Sequence, residues 1–563
     1  MDYKQLISER IRLDSVGFDE IYASITVPVD ATNGDFCLPC FKFSKVLRKS
    51  PQVIAEEIKA VFASDLHSVP WLAAVDTVAG YVNFRLDRKT FVADALSAAE
   101  KLGAEFSFYP TNGKTICIDY SSVNIAKPFH IGHLLTTAIG GSLYRIFGYL
   151  GYRVVGINHL GDWGTQFGKL ISAYKRWGSD KDIDARGITA LNELYVKFHA
   201  EAEKNKELDD EARHYFKLIE QGDPEALSIF GRFKAVTLTE VDKVYRRLGI
   251  KFDSYNGESF YNDKMDGVVK LLKDKQLLSD SDGAKVVNLE EFGMPPCLIL
   301  KSDGASLYAT RDLAAAMYRK KEYDFDKNLY VVAYQQNLHF NQVFKVLELA
   351  GIPWADSCVH VPFGMVSLEG VGALSTRKGN VVYLQDVLES AVQKTKEIIA
   401  QKNPDLSDKD KTAEAIGVGA VVFMALSTAR IKDLVFSLDK ALNFDGETGP
   451  YLQYTHARCC SVLGKVGSEV APKNESPDPL TDDEGFELVK LIARYNQTVE
   501  AAAEKYEPSI IARYLVDVCQ AFNRYYISHR IIGDTHREKL TELTRNVLKN
   551  GLSLLLMNAP EKM

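Results

Sequence analysis

Eight cysteines among 563 residues are too few to staple a chain of this length, so a disulfide framework is excluded and a reducing compartment is expected. Cys37 and Cys40 form CLPC, which would be half of a zinc site or a redox pair, but no second pair stands nearby and no metal site is expected. No apolar run approaches the ~18 residues needed to span a bilayer. The opening MDYKQLISERIRLD is charged where a secretory leader would be apolar, so a cytoplasmic location without a membrane partner is expected. A basic excess is also missing: the formal net charge is -7, and any nucleic acid must be held by local patches. Low-complexity tracts and fixed-period repeats are absent.

What remains is a large globular composition, 46% hydrophobic and 25% charged, long enough for several cores. Residues 1–105 read as a small α+β domain, with helical spacing in VIAEEIKAVFASDL, a strand in GYVNFRLD and a second helix in FVADALSAAEKL. Residues 110–445 read as an α/β, doubly wound parallel-sheet domain of Rossmann type. TICIDY, the helix from His130 and YRVVGIN make one βαβ unit, and NLYVVAY with CVHVPFGMV supply the other half of the sheet. A charged stretch with helical spacing near 178–250 reads as an insertion. Residues 446–563 read as an all-α domain, with Pro450 at a first helical position.

A doubly wound sheet takes its ligand beyond the carboxyl ends of its strands, where the helix after the first strand presents its N-terminus to an anion. His130 and His133 stand at that helix start. Three residues apart, they share one face, while Gly132 lets a ligand approach the backbone. The bland alternative is a pair of capping or solvated histidines. No G-x-G-x-x-G follows the first strand, which disfavours a dinucleotide oxidoreductase.

The stretch NIAKPFHIGHLLTTAIGG, with HIGH at 130–133, GDWGTQFG at 161–168 and YATRD at 308–312, resembles the class I aminoacyl-tRNA synthetases, and arginyl-tRNA synthetase in particular, along the length of the chain. The resemblance implies a ligase that joins L-arginine to ATP as arginyl-AMP, with Mg²⁺, and then passes arginine to the terminal ribose of tRNA(Arg). In this family arginine activation commonly requires the bound tRNA. The implied catalytic residues are His130, His133, Lys127 and Lys378, and the implied ATP site is Lys127, His130, Gly132, His133, Arg377 and Lys378. The family's Lys-Met-Ser-Lys-Ser loop is replaced here by ALSTRKGNVV at 373–382, and Lys127 would stand in for a missing lysine. Taken alone, such a basic run reads as a solvated loop.

Recognition of arginine calls for planar acidic acceptors. By resemblance, Asp119, Ser122, Asn124, His133, Tyr308, Asp312 and Gln336 line the amino-acid pocket, with Asp312, Asp119 and Tyr308 on the guanidinium. Asn124, Gln336 and His133 take the other end. Here Ser122-Val123-Asn124 replaces the family's Ser-Pro-Asn, and valine keeps an extended backbone. The plain alternative for Asp312 is a surface carboxylate paired with Arg311 or Arg319, and for Gly161 to Gly164 a capped turn. Contacts to tRNA are assigned to Tyr454, Arg458, Tyr525 and Arg530, aromatics among basic residues. The chain is expected to be a monomer. Two rival readings are a sister synthetase for another amino acid, and a tRNA-binding paralogue without catalysis; intact His130, Gly132 and His133 argue against the second.

Overall fold

The computed structural model describes residues 2–28, 30–63, 69–103, 109–127, 129–302, 308–369, 372–373, 382–466 and 480–563. The chain forms two compact units, Met1–Ser107 with Cys459–Asn496 and Asp517–Val547, and Phe108–Arg458 with Gln497–Val516 and Leu548–Met563. The helical segment from Cys459 to the last residue is therefore divided between them.

In the first unit β1 (Phe36–Pro39), β2 (Leu72–Val78) and β3 (Tyr81–Leu86) make an antiparallel sheet in the order β1-β3-β2. Ala79 and Gly80, both at positive φ, close the β2–β3 hairpin, as the right-handed strand twist requires. The helix Pro51–Ala63 lays Ile54, Ile58 and Phe62 on this sheet, with the Phe62 ring 5.2 Å from that of Phe84. Cys37 and Cys40 are buried free thiols, and burial pushes that of Cys40 up to about 12. CLPC is core packing.

The second unit holds β4 (Thr115–Asp119), β5 (Arg153–Ile157), an antiparallel sheet of β6 (Leu278–Ser281), β7 (Ala284–Val287) and β8 (Cys297–Leu300), then β9 (Lys327–Tyr330) and β10 (Cys358–His360). Further on, β11 (Val366–Leu368) pairs with β12 (Gly372–Ala373) and β13 (Leu434–Phe436). The central sheet runs β10-β9-β4-β5 with every pairing parallel. The first strand has its sequence successor on one side and the second half of the domain on the other. The β4/β9 boundary is thus the switch point at which a crevice opens. Cys117, Val155, Ile157, Leu313, Ala316, Tyr330, Val343 and Leu347 belong to the core around the sheet.

The insertion is helical, with Asp180–Arg186, Ile188–Ala202, Glu207–Glu220 and Pro224–Leu248. The last starts on Pro224 behind an Asp223 cap and stops at Gly249, φ 63°. The sheet β6-β7-β8 was not foreseen. Its signal is Asp282-Gly283, both residues at positive φ, between strands too short to show alternation. Among the described residues, no helix is long and apolar enough to cross a membrane.

Candidate active site

The helix that carries His130 and His133 begins as a 3₁₀ turn, Ile131–His133, before continuing as Leu134–Tyr149. His130 caps it. Its Nδ1 accepts from the Gly132 N–H at 3.0 Å, and its own backbone N–H donates to Nδ1 of His133 at 3.2 Å. A backbone N–H can only donate, so His130 Nδ1 is bare and that ring carries its proton on Nε2 when neutral, whereas His133 Nδ1 lies 3.2 Å from both the His130 N–H and the His130 carbonyl oxygen and can serve as acceptor or donor there. The rings lie 4.1 Å apart, with Phe129 stacked 5.1 Å from His133. Burial lowers both imidazoles' pKa, that of His133 to about 3, with the neighbouring His130 and Lys127 adding to the effect there. Two neutral rings result, with an Nε2–H donor on His130. Lys127 is exposed, and its charge acts on both.

Gly140 and Gly141 in the same helix are packing glycines. A Cβ on Gly140 would stand 2.3 Å from the Tyr120 side chain, and one on Gly141 would stand 2.2 Å from Ile250. The helix can therefore lie directly on the loop that leaves β4. That loop is strained: Ser121, Ser122 and Ala126 all adopt positive φ, costing on the order of 1–3 kcal/mol each. Side chains from elsewhere hold it. Ser121 N–H donates to Thr136 Oγ1 at 3.0 Å, Ser121 Oγ meets Thr137 and Tyr245, and Ala126 N–H donates to Thr237 Oγ1 at 2.9 Å.

Asp119 ends β4 with its carboxylate already engaged. Ser122 Oγ donates to Oδ1 at 2.8 Å, and the guanidinium of Arg319 lies 2.6 Å from Oδ2. The pair is buried, with His159 Nδ1 3.4 Å from the same guanidinium nitrogen. Arg319, expected as the alternative partner of Asp312, serves Asp119 instead, because seven residues along the helix Tyr308–Tyr323 bring it two turns deeper toward the sheet. Arg311 reaches Asn262 at 3.4 Å. Asp312 is therefore not a surface carboxylate paired with either arginine; His339 Nε2 stands 2.6 Å from its Oδ2. Burial raises the Asp312 carboxyl, but the His339 hydrogen bond and the charges of His339, His159 and Arg319 outweigh this and hold it below its ordinary value.

The helix bearing Asp312 is pinned to β8 by Thr310 Oγ1, which donates to Ile299 O at 2.6 Å, and its first residue, Tyr308, is 67% exposed. Gln336 and Asn124 are also exposed. Asn124 bridges to Gly161 as a parallel pair, and a Cβ on Gly161 would meet Asn124 Oδ1 at 2.2 Å. Asp162 is structural. Fully buried, it binds Lys234 Nζ at 2.7 Å and accepts from the Ser259 N–H and hydroxyl; it does not cap the helix Thr165–Trp177, whose start at Gly164 has no side-chain cap, so the capped-turn alternative is not what this residue does. Glu258, unforeseen, has its carboxyl pushed up to about 7 by burial, with Asp312 and Asp162 adding to the shift and Arg311 opposing it.

Arg377 and Lys378 lie outside the described residues. The chain that follows them is fixed: Ile131 N–H donates to Val382 O and Leu384 N–H to Phe129 O, both at 3.0 Å. Tyr454 is 44% exposed under the Arg458 guanidinium, 4.9 Å from its ring. Tyr525 corrects the sequence reading. It is fully buried with its ring stacked on His529, whereas Tyr526 and Ile527 are exposed; the helix turns position 525 inward. Arg530 is exposed. The residues missed from sequence were His159, Glu258 and His339, and Arg319 was named only as a partner for Asp312. Only His339 had a local signal, three positions after Gln336 and so on the same helical face.

Comparison with known proteins agrees with this geometry. The family model for the class I (R) tRNA synthetase catalytic domain matches residues 92–438, that for the DALR anticodon-binding domain 452–563, and that for the arginyl-tRNA synthetase N-terminal domain 1–86. A protein named arginine–tRNA ligase from Clostridium botulinum (strain Alaska E43 / Type E3) is 49% identical over 577 residues, covering 100% of both chains. One of the same name from Halothermothrix orenii is 47% identical over 571 residues, again with 100% of both covered. The solved Thermus thermophilus arginyl-tRNA synthetase superposes with a TM-score of 0.81 at 25% identity, over 96% of each chain. A Rossmann-type parallel sheet, paired imidazoles at the start of the helix after β4 and full-length relatives near half identity lead to one assignment: the chain belongs to the arginyl-tRNA synthetase family.

Proposed function

We propose that this chain is an arginine–tRNA ligase that activates L-arginine with ATP and transfers it to the 3′-terminal ribose of tRNA(Arg). The observation that carries the reading is the placement of Asp119 at the end of β4 and Asp312 at the start of a facing helix, with His130 and His133 on the helix that follows β4. In activation, a carboxylate oxygen of arginine attacks the α-phosphorus of ATP; that P–O bond forms as the bond to the bridging oxygen breaks, and pyrophosphate leaves. In transfer, a ribose hydroxyl attacks the arginyl carbonyl and AMP leaves. Negative charge grows on phosphoryl oxygens, and donors fixed beforehand lower that barrier selectively.

His130 and His133 suit this role because both rings are held neutral at one helix start, His130 with an Nε2–H free to donate, so neither must shed a proton to act. Lys127, Gly132, Arg377 and Lys378 complete the phosphate site in this reading. Donors here are N–H groups, which suit phosphate oxygens, so Mg²⁺ would be carried on the triphosphate and supply charge neutralisation there. Asp312 and Tyr308 take the guanidinium with the remaining capacity of Asp119. Ser122 positions Asp119, and Asn124, Gln336 and His133 take the amino and carboxylate end. Tyr454, Arg458 and Arg530 contact tRNA, with Tyr526 in place of Tyr525. The segments 1–105, 110–445 and 446–563 serve as tRNA-contacting, catalytic and anticodon-binding parts. The protein acts as a monomer in the cytoplasm.

Pyrophosphate exchange and charging across amino acids, with and without tRNA, test the assignment. Arginine alone should support both, and exchange should need the tRNA. Equal exchange with another amino acid, or tRNA binding without charging, overturns the reading.

A further inference from the structure

We propose that His339 is the positioning residue for arginine, holding the Asp312 carboxylate in the plane and orientation that a guanidinium fork requires; this rests on the arginine-site reading above. His339 sits in the first turn of the helix Asn337–Leu349 and Asp312 in the second turn of Tyr308–Tyr323, so the contact joins two helices on the rim of the crevice. Nε2 and Oδ2 are 2.6 Å apart and both side chains are 24% exposed, a contact only partly open to solvent.

The contact uses one carboxylate oxygen and leaves Oδ1, together with the unused capacity of Oδ2, for an incoming N–H pair. A carboxylate on a free χ2 rotor would lose orientational entropy on each binding event. A hydrogen bond made in advance removes that cost. The choice of imidazole also matters. A lysine would reach the carboxylate through a long flexible stem and an arginine would offer a fork that could take both oxygens, whereas an imidazole offers a single N–H on a short stiff side chain and engages one oxygen. The base of the helix is set by the 3₁₀ turn Tyr334–Gln336, where Tyr334 N–H donates to Phe363 O at 2.9 Å, so His339 and the expected ligand Gln336 stand on one fixed support. The depressed carboxyl of Asp312, in which the His339 hydrogen bond offsets burial, agrees with this.

Steady-state aminoacylation by full-length His339→Ala, His339→Gln, Asp312→Ala and the double variant tests the proposal, with melting temperatures measured alongside. His339→Ala should raise KM for arginine about tenfold or more, the scale of a hydrogen bond to a charged group, and leave kcat and KM for ATP near their wild-type values. His339→Gln, which keeps an N–H donor but cannot ionise, should recover most of that loss. In the Asp312→Ala background His339→Ala should add nothing further. An additive double variant, a loss confined to kcat, or a glutamine variant no better than alanine overturns the role. If Asp312→Ala itself keeps a wild-type arginine KM, the arginine-site reading fails, and this proposal with it.

Discussion

Asp119 and Arg319, 200 positions apart, form a buried ion pair at 2.6 Å in the floor of the crevice, their side chains 7% and 1% exposed. The protein thus places a guanidinium of its own against a carboxylate expected to grip a substrate's. Ser122 on the other oxygen leaves Asp119 a partial acceptor and makes Asp312 the freer carboxylate.

Removing one member of such a pair strands the other. Arg319→Met is expected to lower stability by about 3–5 kcal/mol in chemical denaturation. Adding Asp119→Asn should recover part of the loss. A cost well under ~1 kcal/mol for the single variant would mean that the pair is solvated in solution.

In the proposed reading, His133→Ala removes one of the two imidazoles that face the phosphates. It is expected to lower kcat by on the order of a hundredfold, with a smaller rise in KM for arginine from the lost contact to its carboxylate end. Rapid-quench measurement of the activation step locates the defect. An unchanged activation rate contradicts the assigned role.

The same residue sets a pH dependence. His133 has its pKa lowered from 6.5 to about 3 by burial, with His130 and Lys127 adding to the shift. Below 6.5 the unfolded chain binds a proton that the folded chain refuses. The contribution to stability is complete above that pH and is lost as pH falls toward 3, at most about 1.4 kcal/mol per pH unit. Denaturation at about pH 7.5 and about pH 5 should show a shallower decline for His133→Gln than for the natural chain. Parallel slopes contradict the burial of the neutral ring.

Gly161→Ala puts a Cβ 2.2 Å from Asn124 Oδ1. The asparagine must rotate away. Arginine KM is expected to rise several-fold, roughly the cost of one hydrogen bond, with folding retained. A crystal structure of the variant with Asn124 undisturbed, or unchanged kinetics, would remove Asn124 from the pocket.

The strand TICIDY, the two histidines at the next helix start, the helical insertion and the proline opening the helix Gly449–Leu463 were all legible in sequence. Each is a local pattern of periodicity, capping or backbone restriction, and such patterns are written in consecutive residues. The spacing of Tyr308 and Asp312 on one helix is of the same kind. Short strands with little alternation, as in β6 and β7, were not legible, and their turn dipeptide was the only mark.

By itself, then, the sequence determined the order of elements, the helix start with two imidazoles and the family. Only the tertiary structure decided which partner each charged group took. Asp119 could have met a substrate, Ser122 or an arginine, and the fold brought Arg319 to it; Asp312 could have paired with Arg311 or Arg319, and the packing of two helices gave it His339. Tyr525 and Tyr526 differ in nothing but their angle on a helix, yet one is core and the other faces water. Local periodicity sets the face of a helix, but what that face meets depends on chain segments tens to hundreds of residues away, whose approach is governed by burial and by the need to satisfy every buried charge.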